Sequence, residues 1–332
     1  MKIGYLGAGT WGFALVYLLH QNHHEIVVWT RKEDFAQVLE KTREHPKLNG
    51  VFLAKNVRFT TDIREAVEGA DVVIESVTSR GIRPVCQEIA PLLPEKTPFI
   101  LTSKGIEQDT VLLLPEVAAE VLGEKKRPLI GCLSGPSHAE EVVKNLPTSV
   151  VASSYSPNLN PLIVSLFTTS TFRVYPTNDL RGICFGGAMK NIMAIACGIS
   201  DGLGFGANTK AALMTRGLHE MRKLAEKQGC KTETLNGLSG MGDLCVSCLS
   251  TLSRNYQFGA FLAKGYSLQK AKEAVGMVVE GADTCRSALS LAKKCGVPVP
   301  ITEAACRVIY EGLAPQEAVK QLLTRTVKEE HL

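Results

Sequence analysis

Through its first half the chain alternates short apolar runs with amphipathic stretches. "KIGYLG" reads as a strand and the stretch from Thr10 to Asn22 as a helix. "EIVVWT" is a second strand, followed by a helical pattern from Glu33 to Glu44. "VRFTT" reads as a short strand, "DIREAVEGA" as a helix and "DVVIESV" as a buried strand. A helix near 82–92, the strand "PFILTS", a helix near 109–122 and the strands "RPLIGCLS" and "TSVVASS" complete the series. Strands alternating with helices predict βαβ units and a mostly parallel sheet. The runs at 71–77 and 98–102 are apolar without alternation, as expected of strands covered on both faces.

After "FRVYPTNDLRG" the texture changes to helical patterns with few strand signals, which sets a boundary near residue 180. "TKAALMTRGLHEMRKLAEKQG" stops at Gly229, and "SRNYQFGAFLAKG" starts at Ser253 and stops at Gly265. "SLQKAKEAVG" and "PQEAVKQLLTR" show the same start and stop signals.

Gly7, Gly9 and Gly12 form G-x-G-x-x-G directly after the first strand and at a helix start. Gly7 suits the tight turn, Gly9 a close approach to a pyrophosphate, and Gly12 the packing of helix on strand. The phosphates would lie at the positive end of the helix. With a strand before it and a second strand after, the motif points to a dinucleotide. The fold class expected is therefore α/β: an N-terminal Rossmann-type doubly wound sheet over 1–180, then an all-α C-terminal domain over 181–332. The second strand ends in "VVWTRKED". Arg31 and Lys32 there favour the extra 2′-phosphate of NADP, while Glu33 and Asp34, slightly later, keep NAD open.

Composition narrows the partners. The chain has 332 residues, is 45% hydrophobic and carries a formal net charge of +4. A mild, evenly spread positive charge suits an anionic small molecule and gives no nucleic-acid footprint. The sequence shows no signal-peptide pattern and no uncharged apolar run of about 18 residues, so neither export nor membrane insertion is expected. The ten cysteines are scattered; only Cys245 and Cys248 form C-x-x-C, without a second pair to complete a zinc site. Reduced thiols in a cytoplasmic protein, and no metal, are the expectation.

Between Arg181 and Asp201 one charged side chain, Lys190, interrupts an otherwise small or apolar helix. A buried ammonium needs a partner or a task, and burial moves its pKa towards acid–base range. Gly186 and Gly187, one turn earlier, leave the helix slim enough for a close approach. Lys104, in "LTSKGIE", follows a sheet strand and so lies at the carboxyl edge where doubly wound folds bind ligands. In "LSTLSRNYQFG", Ser253 is an N-cap, with Arg254 and Asn255 in the first turn; N–H groups, dipole and guanidinium converge there on an anion. Asp243, in "GLSGMGDLCVSC", can pair with Lys190 or simply start a helix.

Taken in order, "GAGTWG", "SKGIE", "SGPSHAEEV", "GAMKNIMAIACGISDGLGFGANTKAAL", "GLSGMGDL", "LSRNYQFG" and "VVEG" resemble the bacterial-type NAD(P)-dependent glycerol-3-phosphate dehydrogenases over essentially the whole chain. The resemblance implies reversible reduction of dihydroxyacetone phosphate to sn-glycerol 3-phosphate with NADPH or NADH, feeding phospholipid synthesis, and a homodimer. It implies cofactor contacts from Thr10, Trp11, Arg31, Lys104, Ala139, Arg254, Val278 and Glu280. It implies substrate contacts from Lys104, Gly135, Ser137, Lys190, Asp243, Ser253, Arg254 and Asn255, with Lys190 as proton acceptor in the oxidation direction. The chain departs from that family in having Thr10 where Ser is commoner and His138 where Phe is commoner. Related two-domain hydroxyacid and ketoacid reductases, the alternative, place Lys and Asn four apart on one helix; here they are adjacent and Ala194 stands four beyond Lys190.

Overall fold

A computed structural model describes residues 1–327, Glu329 and Glu330. The strands are β1 (Lys2–Leu6), β2 (Glu25–Trp29), β3 (Val57–Thr60), β4 (Val72–Glu75), β5 (Phe99–Leu101), β6 (Ile130–Ser134), β7 (Thr148–Ser154) and β8 (Phe172–Pro176). They form one sheet in the order β3-β2-β1-β4-β5-β6-β7-β8. Neighbouring strands are parallel except β6 and β7. The helices interleaved with them are α1 (Thr10–Gln21), α2 (Glu33–Thr42), α3 (Ile63–Val67), α4 (Ile82–Ile89), α5 (Leu114–Leu122), α6 (Ala139–Val142) and α7 (Asn160–Phe167).

Inward-facing residues divide between two apolar clusters. Ile3, Tyr5, Ile26 and Val28 pack with α1, α6 and α7, whereas Leu6, Val27, Val73 and Leu101 pack with α3, α4 and α5. This two-faced burial is what a doubly wound sheet requires. Among the described residues only helices follow β8: α8 (Leu180–Gly202), α9 (Ala207–Lys227), α10 (Thr232–Asn236), α11 (Asp243–Leu249), α12 (Arg254–Ala263), α13 (Leu268–Val275), α14 (Glu280–Cys295), α15 (Pro300–Tyr310) and α16 (Pro315–Leu323). Asp179 caps α8 by accepting from the N–H of Gly182 at 2.9 Å. By length and composition α8 could cross a membrane; here 89% of its most apolar window is buried in the fold.

Element boundaries differ from the sequence pattern where backbone geometry intervenes. The helix expected to run to Glu44 ends at Thr42, because Arg43 turns left-handed (φ 60°). The helix expected from 109 starts at Leu114, with Pro115 in its first turn, where a missing N–H costs nothing. Helices α6 and α7 and strand β8 were not anticipated. Pro161 sits in the first turn of α7, where its missing N–H leaves no helical bond unmade. Strand β8 is an edge strand with alternate residues exposed, so its apolar signal is weak.

Close backbone contact fixes the helical half. Helices α8 and α12 cross where Gly198 faces the carbonyl of Tyr256 and Gly259 faces that of Ile195; an added Cβ would lie 2.0 and 2.1 Å from those oxygens. Since neither oxygen is on a side chain, relief requires the helices to separate. Gly259→Ala is expected to cost about 2–3 kcal/mol by overpacking, read as a Tm lower by roughly 3–4 °C. An unchanged melting temperature would show that the crossing tolerates the extra methyl.

Candidate active site

The carboxyl ends of β1, β4 and β5 open into a cleft of about 530 Å³ between the sheet and the helical half. The β1–α1 turn forms one wall. Gly7 has φ 109°, a conformation that disfavours side chains, and an added Cβ at Gly12 would lie 2.2 Å from the Gly7 carbonyl. Nothing lies within 4 Å of the Cβ position of Gly9, so the backbone there is open to a ligand. Gly9, Thr10, Trp11 and Gly12 line the cleft at the start of α1, and Ala139 faces it from α6. The N–H groups of this first turn have no carbonyl partners within the helix. This cradle fits a pyrophosphate.

Opposite, three charged groups from separate elements meet. Asp243, at the start of α11, is almost wholly buried. Its Oδ1 lies 2.8 Å from Lys190 Nζ and its Oδ2 2.5 Å from Lys104 Nζ. Lys104 also donates to the Gly135 carbonyl at 3.0 Å, and Lys190 to Ser247 Oγ at 2.6 Å. Burial alone would raise the Asp243 pKa; Lys104 and Lys190 outweigh it and hold the carboxyl below its usual range. Burial lowers the Lys190 pKa to about 8, with Asp243 opposing the shift and Lys104 adding to it. Two lysines share one carboxylate, so one positive charge is left for a ligand to balance.

Small residues make that convergence possible. Gly187 lies where a Cβ would touch Ser134 Oγ at 2.7 Å and the Lys104 stem at 3.4 Å. Gly186 meets the backbone of the π-helical turn Leu238–Gly242 in the same way, with the Ser239 carbonyl 2.6 Å from a Cβ. The slim stretch thus admits neighbouring protein, and Lys190 emerges beyond it into the cleft.

Helix α12 begins at the cleft. Ser253 accepts from the N–H of Tyr256 at 3.4 Å, leaving Arg254 in the first turn. Asn255 donates to Asn191 Oδ1 at 3.0 Å and accepts from the N–H of Gly281 at 2.9 Å, which locks α12 to α8 and α14. Glu280, at the head of α14, accepts from the Ser79 N–H at 3.1 Å and from its hydroxyl, joining the helical half to the turn after β4. Val278 and Ser137 line the cleft beside these groups.

The structure thus brings together Gly9, Thr10, Trp11, Gly12, Lys104, Ser137, Ala139, Lys190, Ser253, Arg254, Asn255, Val278 and Glu280 around one cleft. Gly7, Gly135 and Asp243 stand behind that surface as support. Arg31 and Lys32 are exposed on the turn after β2 and do not line the cleft, whereas Phe35, His45 and Lys47 do. His138 also lines the cleft, with Nε2 3.3 Å from the Val246 carbonyl; burial, aided by the charge of Lys190, depresses its pKa. Cys245 and Cys248 are free thiols, and the described residues contain no group of three or more His, Cys, Asp or Glu side chains able to hold a metal.

Asn191 and Ser247 escaped the sequence reading as site residues. For Ser247 a signal existed, since it lies four residues after Asp243 and so shares its helix face. Lys47 and the 76–78 turn carried none, because loop residues reach the cleft only through the fold.

Two family models match the chain: the N-terminus of NAD-dependent glycerol-3-phosphate dehydrogenase over residues 2–160 and its C-terminus over 179–320. Glycerol-3-phosphate dehydrogenase (NAD(P)+) of Protochlamydia amoebophila is 55% identical over 331 residues, spanning 100% of this chain and 99% of that one. The enzyme of the same name from Chlamydia pneumoniae is 50% identical, with 99% of each chain covered. The crystal structure of glycerol-3-phosphate dehydrogenase from Coxiella burnetii superposes with a TM-score of 0.93 at 35% identity, covering 98% of this chain and 99% of that one. The chain belongs to the NAD-dependent glycerol-3-phosphate dehydrogenase family.

Proposed function

We propose that this protein catalyses the reversible reduction of dihydroxyacetone phosphate by NADPH or NADH to sn-glycerol 3-phosphate, supplying glycerophospholipid synthesis. The observation that carries the reading is the Lys104–Asp243–Lys190 cluster, set between a pyrophosphate cradle and the capped start of α12. In this reading residues 1–180 form the dinucleotide-binding domain and 181–332 the helical substrate-binding and catalytic domain, and each lends residues to the other's ligand. Cytoplasmic location and a homodimer, with no membrane or nucleic-acid partner, belong to the same proposal and rest on the resemblance to the family.

Gly9–Gly12, Ala139, Val278 and Glu280 would hold the dinucleotide, and Arg31 would meet its 2′-phosphate. Its dihydronicotinamide, when bound, supplies the hydride. The chain does the rest. Lys104 and Arg254 neutralise the phosphate of the substrate, assisted by Ser253, Asn255, Ser137 and the Gly135 segment. Lys190 gives its proton to the carbonyl oxygen in reduction and takes it back from the hydroxyl in oxidation. Asp243 keeps Lys190 aimed and moderates the loss of basicity that burial imposes. Ser247 and Asn191 limit the directions open to the ammonium and to α12.

Lys190→Met is expected to abolish turnover while melting behaviour and cofactor binding persist; near-wild-type kcat would remove Lys190 from the acid–base role. In the wild type the ammonium is needed for reduction and the amine for oxidation. Reduction should therefore decline, and oxidation rise, as pH passes through about 8. Steady-state rates in both directions from pH 6 to 10 test the crossing.

Arg254→Ala removes a charge-assisted contact at a helix start, a loss of about 1.5–3 kcal/mol or roughly 10- to 100-fold in kcat/KM for the phosphorylated substrate. Inorganic phosphate should compete with substrate in the wild type, and an unchanged kcat/KM in the variant would refute the assignment.

Arg31→Ala should raise KM for NADPH and leave NADH nearly untouched, with the difference shrinking as salt is added. Equal losses for both cofactors would mean that Arg31 serves the shared adenosine.

A further inference from the structure

Strand β4 ends in "VVIE", and its last residue is fully buried in the middle of the sheet. Glu75 pairs with Leu6 of β1 on one side and Leu101 of β5 on the other. Apolar residues surround it along the strand, and its backbone pairing does not depend on a carboxylate. The side chain instead folds towards the turns after β4 and β5. One oxygen accepts from the N–H groups of Thr102 at 3.1 Å and Ser103 at 3.2 Å. The other accepts from the N–H of Val77 at 3.0 Å and lies 2.9 Å from Ser103 Oγ. A single carboxyl group thus ties two separate loops together, and the next residue after Ser103 is Lys104.

We propose that Glu75 is a positioning residue: it fixes the backbone of Ser103, and through it the direction in which Lys104 reaches Asp243 and the substrate phosphate. Three features beyond the bonds themselves support this. First, the Lys104 ammonium meets Asp243 Oδ2 at 2.5 Å and the Gly135 carbonyl at 3.0 Å, so its root must be held if both contacts are to persist. Secondly, the same region is braced from below by a hydroxyl relay. Thr102 Oγ1 donates to the Glu75 carbonyl at 2.7 Å, so Ser76 Oγ, 2.6 Å away, donates to Thr102, and Tyr5, 2.6 Å from Ser76, donates in turn.

Thirdly, the Ser103 hydroxyl has one proton and two acceptors, Glu75 Oε2 and the Val77 carbonyl. Both contacts are satisfied when Glu75 itself carries a proton, which it gives to Ser103 while Ser103 gives its own to Val77. Burial, partly offset by these donors, raises the Glu75 pKa to about 7, which makes that form accessible near neutrality. A neutral amide can mimic it. Glutamine keeps the accepting oxygen for Thr102 and Ser103 and donates to Ser103 Oγ, at the cost of setting its NH2 against the Val77 N–H, which loses its acceptor.

The inference rests on the reading of Lys104 as a substrate-holding group, and the test separates the two. Dihydroxyacetone phosphate reduction is measured for the wild type and for Lys104→Met; absence of activity in the first, or full activity in the second, defeats that reading. Glu75→Met should then lower kcat/KM for dihydroxyacetone phosphate about 10- to 100-fold, as a displaced positioning group does, with KM for NADPH within about twofold of wild type. Glu75→Gln should recover most of this, leaving a deficit of roughly fivefold or less for one lost hydrogen bond. In the Lys104→Met background, Glu75→Met should add less than about twofold, because its effect runs through Lys104. If Glu75→Met does not fold, Ser103→Ala carries the test, with roughly a fivefold loss that vanishes in the Lys104→Met background. Wild-type kinetics in the Glu75 variants, or losses that simply multiply with that of Lys104→Met, would overturn the proposal.

Discussion

The carboxylate of Asp243 is the constraint on which the site depends. It belongs to α11, yet it binds Lys190 of α8 and Lys104 of the loop after β5. Each ammonium pays a desolvation cost on leaving water, and removing the shared anion would leave two like charges facing each other in a poorly hydrated site. This ionic group is thus one tie between the sheet and the helical half, beside the Ser79–Glu280 contact and the apolar cluster that the two share. The same group sets the electrostatics of the cleft, since two cations and one anion leave positive charge where an anionic ligand would sit.

That ionic cluster needs an unusually close framework. Helix α8 is surrounded by sheet, π-helical turn and further helices, and it accommodates them through glycines at 186, 187 and 198. Larger residues there would push away the strand end that carries Ser134, the turn before Asp243, or α12. Tight packing transmits position with little give. The lysines are consequently placed by backbone contacts, and the flexible four-carbon stems have only to span a fixed gap. Beneath them, buried polar side chains such as Glu75 and Asn255 satisfy loop and helix-end N–H groups that no regular ladder could reach.

The Lys190 ammonium lies at the balance point of opposing effects. Burial favours the neutral amine, Asp243 favours the ammonium, and Lys104 again favours the amine. The outcome near 8 leaves both protonation states accessible close to neutral pH, which suits the proton transfer proposed for it. Without the carboxylate the same burial would leave a weaker base; without the burial, an ordinary lysine would hold its proton too firmly.

By itself the sequence determined the alternation of strands and helices, the glycine turn and the position of the buried lysine, because each depends on neighbours within one or two turns of chain. The G-x-G-x-x-G spacing already implies Gly7 in its turn and Gly12 against it, and the isolated charge of Lys190 among apolar residues already implies a partner. Short or edge elements such as α6 and β8 were not legible, since their stability comes from packing and not from local pattern. Only the tertiary structure decided that Asp243 both starts α11 and joins Lys104 to Lys190, residues 139 and 53 positions away in the chain. It also brought Asn191 into the site, left Arg31 exposed after β2, and turned Glu75 towards two loops. The reason is physical: a periodic pattern reports which face of an element is buried, whereas the pairing of charges and hydrogen bonds across the chain is set by where the folded backbone places their roots.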